Sequence, residues 1–392
     1  MLDFKERAKL LGVSPDTDFR GVIRIESLER LIEILTDQKE PKSGELLFAG
    51  IAPVRDNLTL QLSRKLVEHI YCGQDLSDGD RAAVDTAFPL DVNVISIPEK
   101  TISTEWNLNE ETPTGLVLVS VGTLTINDGG TVTIANRQLD LTVDHLVRNG
   151  TALPGGRGEF NILGIDGAQG TKPDAAKAPG QAGSGNPGNC SSAGIAGAAG
   201  EKGTPGEPGS KGAEGGKGGG GKPSLPAIMR FTTSVTATGR IKVLTHSGAG
   251  GKGGEGGQGS MGGQGGNGGN GVTCGCTGNA GGSGASGGRG GTGGTGGPGG
   301  NGADAEGNII VWVPANAISK FDSPVRLPAH AGEGGDPGLR GEGGAGGKAG
   351  SGGKHNDGGS AGGPGAVGDP GTRGPDGQHN GTPAEIYILP PP

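Results

Sequence analysis

Three cysteines and one histidine are the residues of this chain best suited to chemistry. Cys190, Cys274, Cys276 and His355 are far apart in the sequence, yet each lies near the middle of a long glycine-rich stretch. Three thiolates and one imidazole would form a closed tetrahedral zinc set, and closed sets are structural rather than catalytic. A disulfide from Cys190 to Cys274 or Cys276 is the alternative, and it leaves one thiol unpaired. The residues alone leave both readings open.

The glycine-rich stretches must bring these residues together. Residues 167–223, 248–305 and 332–382 keep glycine at every third position over long runs. A period of three is that of the polyproline II helix, whose backbone groups need hydrogen-bond partners from other segments. The pattern is disturbed near the middle of each stretch, at residues 189–192, 272–274 and 355–357. These breaks predict three hairpins, and therefore six polyglycine II helices whose turns meet at one end.

A collagen-like trimer and a disordered chain are the alternatives to such a bundle. Collagen gains nothing from a second glycine frame, and breaks in the middle of the runs would weaken it. In residues 248–305, glycine occupies two of the three frames, which suits a helix with neighbours on two sides. We therefore expect the second hairpin to lie between the other two.

Short alternating stretches predict a β base that carries the hairpins. Residues 96–166 contain several of these stretches, separated by turn-forming residues such as those at 127–130. Similar segments at 224–247, 306–331 and 383–392 recur where the chain leaves or re-enters the glycine-rich stretches. We expect them to complete a base that resembles a β-helix or a β-sandwich.

Residues 1–95 have the composition of an ordinary globular domain. Apolar residues recur at helical spacing after Ser27 and within 58–71, and a third helix is predicted from Ser77 to Phe88. We expect a small, mainly helical domain for docking or capping. The predicted fold class is therefore mixed, with a helical N-terminal domain, a β base and a glycine-helix bundle.

Composition argues against several classes of function. The net charge of −8 disfavours nucleic acid as a partner. No apolar run reaches the length of a membrane span, and the first residues lack the core of a signal peptide. No paired carboxylates or nucleophile arrangement stands out, so we expect a protein that is not an enzyme. We expect it outside the cell, or on the surface of a virion or other particle, reached without a classical signal peptide.

The triplet pattern resembles that of polyglycine II proteins. It is similar to the tip adhesins of T-even-type phage long tail fibres and, more distantly, to the snow flea antifreeze protein, over residues 160–383. The resemblance implies a rigid sandwich of glycine helices whose end loops bind the host surface. By position, it assigns receptor binding to Asn189, Ser191, Ser192, Val272, Thr273, Thr277, Asn356 and Asp357.

The favoured hypothesis is therefore an adhesin-type protein that binds a cell-surface receptor or glycan through the far end of the bundle. Residues 1–95 would then join it to a larger assembly. A secreted toxin or insecticidal effector, with the bundle as a protease-resistant targeting arm, is the first alternative. A collagen-like structural trimer is the second.

Overall fold

The computed structural model describes residues 2–36, 74–112, 115–151, 153, 157–192 and 194–391, together with Leu62, Lys65, Leu66, His69 and Ile70. Strands make up 27% of the structure and helices 11%. Two sheets form a base, and long glycine-rich hairpins extend from it. Among the described residues, no helix is both long and apolar enough to cross a membrane.

The base contains a seven-stranded and a five-stranded sheet. In spatial order, the strands of the first sheet are β1 (Phe19–Ile25), β2 (Leu90–Ile102), β4 (Val117–Ile126), β6 (Leu139–Arg148), β10 (Ala227–Ala237), β14 (Ile309–Trp312) and β16 (Ile386–Leu389). Those of the second are β15 (Val325–Leu327), β11 (Val243–His246), β7 (Phe160–Leu163), β5 (Thr131–Ala135) and β3 (Glu105–Asn107).

From β2 onward the chain alternates between the two sheets, and neighbouring strands within each sheet are parallel. Each turn of the chain therefore adds one strand to each sheet, as in a parallel β-solenoid. The prediction of a β base is confirmed.

The main core lies between the two sheets. Along β4, the alternate residues Val117, Val119 and Val121 are buried in it, as the period of two requires. The rings of Phe160 and Phe231 have centroids 5.4 Å apart, and Phe231 is 5.7 Å from the ring of Phe321. These contacts join both sheets to the segment that follows β14.

The N-terminal region is not purely helical. It contains α1 (Phe4–Leu10), α2 (Leu28–Thr36) and α3 (Asp78–Asp85), but also β1, which pairs antiparallel with β2. The expected boundary at residue 95 falls inside β2. A one-turn helix, α4 (Leu108–Glu111), follows later in the base. The helix predicted at 58–71 is described only at five residues, all of them helical.

The helices cover the outer face of the first sheet. Leu28 and Leu31 of α2 and Val84 of α3 lie in one buried cluster with Leu118 and Ile228 of the sheet. The N-terminal helices and the outer face of the first sheet therefore share a second core, separate from the one between the two sheets.

Six glycine-rich segments extend from the base, and we number them in chain order. Segments I and II (166–189 and 197–222) form the first hairpin. Segments III and IV (248–272 and 279–303) form the second, and segments V and VI (330–353 and 357–381) form the third. The segments contain no helix and no β-strand.

Backbone hydrogen bonds with a spacing of three residues join the segments. In the second hairpin, Gly288 donates to the carbonyl of Gly263, and Gly291 donates to that of Ser260, both at 2.8 Å. The two segments of a hairpin run antiparallel. Corresponding segments of successive hairpins run parallel, as in the 2.9 Å bond from Gly256 of segment III to Asp336 of segment V.

The segments form two layers, with I, III and V in one and II, IV and VI in the other. Segment III is bonded to I, II, IV and V, and segment IV is bonded to II, III, V and VI. Segments I and VI are each bonded to only two others. The second hairpin therefore lies between the first and the third.

Glycine is required where two segments touch. A Cβ atom on Gly288 of segment IV would lie 1.9 Å from the carbonyl oxygen of Glu207 in segment II. At the outer edge, a Cβ atom on Gly180 would meet nothing within 4 Å. The second glycine frame of residues 248–305 thus reflects contact on more than one side.

The solenoid continues directly into the hairpins. In the parallel pair of β7 and β11, Leu163 lies opposite His246. Just beyond these strands, Gly167 of segment I donates to the carbonyl of Ala249 in segment III at 2.8 Å. Because parallel strands lie about 4.8 Å apart, successive solenoid turns start the hairpins at a spacing that lets extended backbones hydrogen bond.

Candidate functional site

Three turns lie together at the end of the hairpins that is far from the base. The first turn carries β8 (Cys190–Ser192) and β9 (Ile195–Ala196), and the second carries β12 (Thr273–Cys274) and β13 (Thr277–Gly278). The third is a tight turn at Lys354 and His355. Gly194, Gly275 and His355 have φ values of +83°, +67° and +63°. Glycine adopts this backbone conformation at little cost, whereas histidine does so less readily.

A disulfide between Cys190 and Cys274 joins the first turn to the second. The two residues are 84 positions apart in the sequence, and their Cα atoms are 5.8 Å apart. Cys274 is buried, whereas Cys276 is exposed and carries a free thiol. Of the two disulfides that the sequence allows, the structure has the one to Cys274.

The sequence left a zinc site and a disulfide open as alternatives, and the disulfide occupies two of the four residues that the zinc site would need. Thiolates are needed as ligands, and neither Cys190 nor Cys274 has one when they are paired. His355 is exposed, and no group of three or more potential metal ligands occurs among the described residues. The expected set of Cys190, Cys274, Cys276 and His355 is therefore not assembled, and these residues do not fit a structural zinc ion.

Asn279 connects the first hairpin to the second, and the sequence analysis did not single it out. Its side chain is buried, with an exposed fraction of 6%. The amide Nδ2 donates to the carbonyls of Asn189 (2.9 Å) and Ala198 (2.5 Å), while Oδ1 accepts from the N–H of Val272 at 2.7 Å. The one sequence signal is the position of Asn279 directly after the second turn. Every third residue from there along segment IV is mostly glycine, and Asn279 stands where the first of these glycines would be.

The third turn is held against the second by hydrogen bonds. Lys354 donates its N–H to Oγ1 of Thr273 at 3.0 Å. Asn356 donates its side-chain amide to the carbonyl of Gly278 at 2.7 Å. On the opposite side of the second turn, the hydroxyl of Thr277 donates to the carbonyl of Gly194 in the first turn at 3.2 Å. The second turn is thus the centre of the group.

The eight residues expected to bind a receptor divide into three groups. The side chains of Asn189, Thr273, Thr277 and Asn356 make hydrogen bonds within or between the turns. Val272 is only partly exposed and bonds through its backbone to Asn279. The remaining three side chains are exposed and form no hydrogen bond with other described residues; they are those of Ser191, Ser192 and Asp357.

Three further residues share this exposed surface. Ile195 in the first turn is 59% exposed. Lys354 and His355 in the third turn are also exposed, and their side chains make no hydrogen bond with other described residues. We call these six residues the end surface: Ser191, Ser192, Ile195, Lys354, His355 and Asp357.

Ion pairs cross between neighbouring segments along the flanks of the hairpins. Lys172 pairs with Glu255 at 2.6 Å, and Lys252 pairs with Asp336 at 2.9 Å. The hydrogen bond and charge of Lys252 lower the pKa of Asp336, and Asp336 raises the pKa of Lys252. All these groups are exposed, so each pair contributes little to stability.

Comparisons with known proteins give no family for this chain. No protein-family model matches it, and no curated protein is similar to it. Among solved structures, a springtail antifreeze protein from Granisotoma rainieri, described as a bundle of nine polyproline type II helices, is 23% identical. The match covers 52% of this chain and 93% of the other, with a TM-score of 0.08, and with so low a score it supports no conclusion about fold or function.

Proposed function

We propose that this protein is not an enzyme but a recognition protein, and that its end surface binds a receptor or glycan on a cell surface. The observation that carries this proposal is the convergence of three turns from three separate hairpins. They are joined there by a disulfide, by Asn279 and by hydrogen bonds to the third turn. Side chains that no internal contact needs project from this end.

We infer that the six segments are polyglycine II helices packed as a bundle. In support, their hydrogen bonds recur every three residues, always between segments, and glycine occupies the positions of closest approach. At ~3.1 Å per residue, a segment of this length extends about 75–80 Å. Such a bundle would hold the end surface rigidly at a distance from the base.

The end surface favours a polar ligand. It presents two hydroxyls, one ammonium, one carboxylate, one imidazole and a single exposed aliphatic side chain, and the turns carry no Phe, Tyr or Trp. Hydroxyl and amide groups of a glycan or of a receptor loop can pair with this set. Ile195 would add a small apolar contact.

The opposite end of the molecule is the proposed docking side. The N-terminal helices cover the outer face of the first sheet there, and we propose that they attach the protein to a larger assembly. A location outside the cell is part of the proposal, because disulfides persist in oxidising surroundings. The Cys190–Cys274 bond supports this location.

Binding to a glycan microarray and to a panel of intact cells tests the proposal. The variant Ser192→Glu/Lys354→Ala/Asp357→Ala changes three side chains of the end surface and breaks no described side-chain hydrogen bond. The control Gln181→Ala/Gln258→Ala changes two exposed glutamines on the flank of the hairpins. We expect the first variant to lose binding at least tenfold and the control to keep it. Equal binding by both variants, or no binding by the unmodified protein, would contradict the proposal.

A further inference from the structure

Within each layer, the hydrogen bonds between hairpins all point in one direction, whereas the bonds that cross between the layers point the other way, from III to II and from V to IV. Segment I donates to III, and III donates to V; in the other layer, II donates to IV, and IV donates to VI. Examples are the bonds from Gly206 to Ser286 and from Gly287 to Gly363. The first hairpin therefore presents unused carbonyl groups at its outer edge, and the third hairpin presents unused N–H groups at its own.

These two edges are complementary. A second copy placed beside the third hairpin could accept its N–H groups with the carbonyls of its own first hairpin. Such a contact joins two different surfaces, so it can repeat without closing and produce fibres. Unpaired sheet edges carry the same hazard, and proteins block them with prolines and charged residues.

The third hairpin differs from the second at the positions that would take part. In segments III and IV, every residue that donates to the next hairpin from 250 to 271 and from 281 to 302 is glycine. The corresponding positions of segment VI include Pro364, Val367 and Pro370. Proline has no N–H to donate, and the side chains would keep a neighbouring segment away. In segment V, Pro337 has the same effect.

Side chains also cap two of the remaining donors of segment V. The N–H of Gly334 donates to Oδ1 of Asp376 at 2.8 Å, and that of Ala331 donates to Oδ1 of Asn380 at 2.7 Å. Both acceptors belong to segment VI. They take the place that a carbonyl of a further segment would occupy.

Nearer the turns, the N–H edge of the third hairpin and the outer edge of the first hairpin still leave room for a second copy to pair. Gly343 and Gly346 of segment V have N–H groups that bond to no described residue. On the opposite edge, Gly180 has open space around it. The bonds from Ala182 to Gln264 and from Gly265 to Ala345 place these positions at similar distances from the base. In this part of the bundle, Pro364 and Val367 are the obstacle.

We propose that segment VI is a closing edge, which keeps the first hairpin of a second copy of this chain from docking beside the third hairpin. The partner surface is the carbonyl edge of the first hairpin, whose segment II would face segment VI and whose segment I would face segment V. The protein is accordingly monomeric through this face, and each end surface is presented separately.

Sedimentation velocity over a range of protein concentrations tests the proposal. The variant Pro364→Gly/Val367→Gly/Pro370→Gly restores N–H groups and removes side chains at the closing edge. We expect its mean mass to rise at least twofold with concentration, while the unmodified protein stays monomeric. The control Ala366→Gly/Thr372→Gly/Pro375→Gly adds the same number of glycines to segment VI, at exposed positions in a different one of its three frames. We expect this control to stay monomeric.

A second substitution identifies the partner edge. Adding Gly180→Lys to the opened variant should restore the monomer, because it places a side chain on the opposite edge. If the triple-glycine variant does not fold, Pro364→Ala/Pro370→Ala restores the two donors with less added flexibility. A folded, opened variant that remains monomeric would overturn the proposal, and so would self-association of the unmodified protein that Gly180→Lys abolishes.

Discussion

Cys190 and Cys274 form a disulfide although they lie on the turns of two different hairpins and 84 residues apart. The bond is possible only because the two hairpins leave the base one solenoid turn apart and keep the same register along their whole length. The relation between two cysteines thus depends on the parallel pairing of β7 with β11, at the other end of the bundle.

Removing this disulfide should loosen the end surface. A disulfide typically contributes roughly 2–4 kcal/mol of unfolding free energy. We expect Cys190→Ser/Cys274→Ser to lower the melting temperature and to speed hydrogen exchange in the first turn. Cys276→Ser is the matched control, since Cys276 is unpaired, and it should melt like the unmodified protein. Peptide mapping under non-reducing conditions must find the Cys190–Cys274 pair; a pair containing Cys276 would contradict the structure.

Glycine substitutions should separate inner from outer positions of the bundle. Alanine at Gly288 would place its Cβ 1.9 Å from the carbonyl oxygen of Glu207, whereas alanine at Gly363 would meet nothing within 4 Å. We expect Gly288→Ala to cost about 1–3 kcal/mol of unfolding free energy or more. Gly363→Ala should be neutral or stabilising by up to ~1 kcal/mol, because it restricts the unfolded chain. Calorimetry of the two variants measures the difference, and equal stability would argue against close packing at Gly288.

Asn279 should matter more to the turns than any exposed residue there. Asn279→Ala leaves the N–H of Val272 without its partner, while the carbonyls of Asn189 and Ala198 lose one donor each and keep a backbone hydrogen bond. An unmet buried group costs about 1–3 kcal/mol. We expect a lower melting temperature and faster exchange in the first two turns, with the third turn less affected. Asn270→Ala is the control and should have a smaller effect. The side chain of Asn270 lies at an exposed site and accepts only the N–H of Ser351.

Asp304 links the second hairpin to the end of the third and should make its stability depend on pH. Its carboxylate accepts the N–H and the hydroxyl of Thr382, and it pairs with His379. The bonds from Thr382, with a smaller contribution from His379, lower its pKa from the ordinary value of 3.8. A lowered pKa in the folded state means that the stabilisation is present above that ordinary value and is lost as the pH falls through the folded pKa.

Melting curves recorded from about pH 5 down to about pH 2 test this linkage. The unmodified protein should lose more stability over this range than Asp304→Asn, which cannot titrate. Parallel pH dependence of the two proteins would show that Asp304 is not responsible.

The period of the sequence revealed the base strands and the turns more readily than the contacts between them. Val117, Val119 and Val121 of β4 and Leu139, Leu141 and Val143 of β6 recur every second residue because they lie in the core between the sheets, so these strands could be predicted. β1 was missed because Phe19–Ile25 contains Arg20, Gly21 and Arg24, and its pairing with β2 at the edge of the sheet leaves little periodic signal. Because β1 was not recognised, the sequence predicted a small, mainly helical domain for residues 1–95.

The composition of the turns could be predicted, but their bonding could not. The interrupted glycine pattern placed Cys190 and Cys274 at turns, yet it could not distinguish a disulfide from a metal site, because both need the same residues close together. Asn279 could not be recognised as a buried link, since its role depends on the register between two hairpins. That register is set by the solenoid and is not visible in either hairpin alone.

Hydrogen exchange resolved by residue, using nuclear magnetic resonance, tests the central claim that the glycine-rich segments are helices bonded to one another in a layered bundle. In segment III, two of every three amides should be protected: Gly256 and Gly257 are bonded, and Glu255 is not. In segment VI, only one of three should be protected, with Gly365 and Gly368 slow and Ala366 and Val367 fast. Protection of one amide in three throughout, in a protein of trimeric mass, would indicate collagen, and uniformly fast exchange would indicate disorder; either result would contradict the bundle.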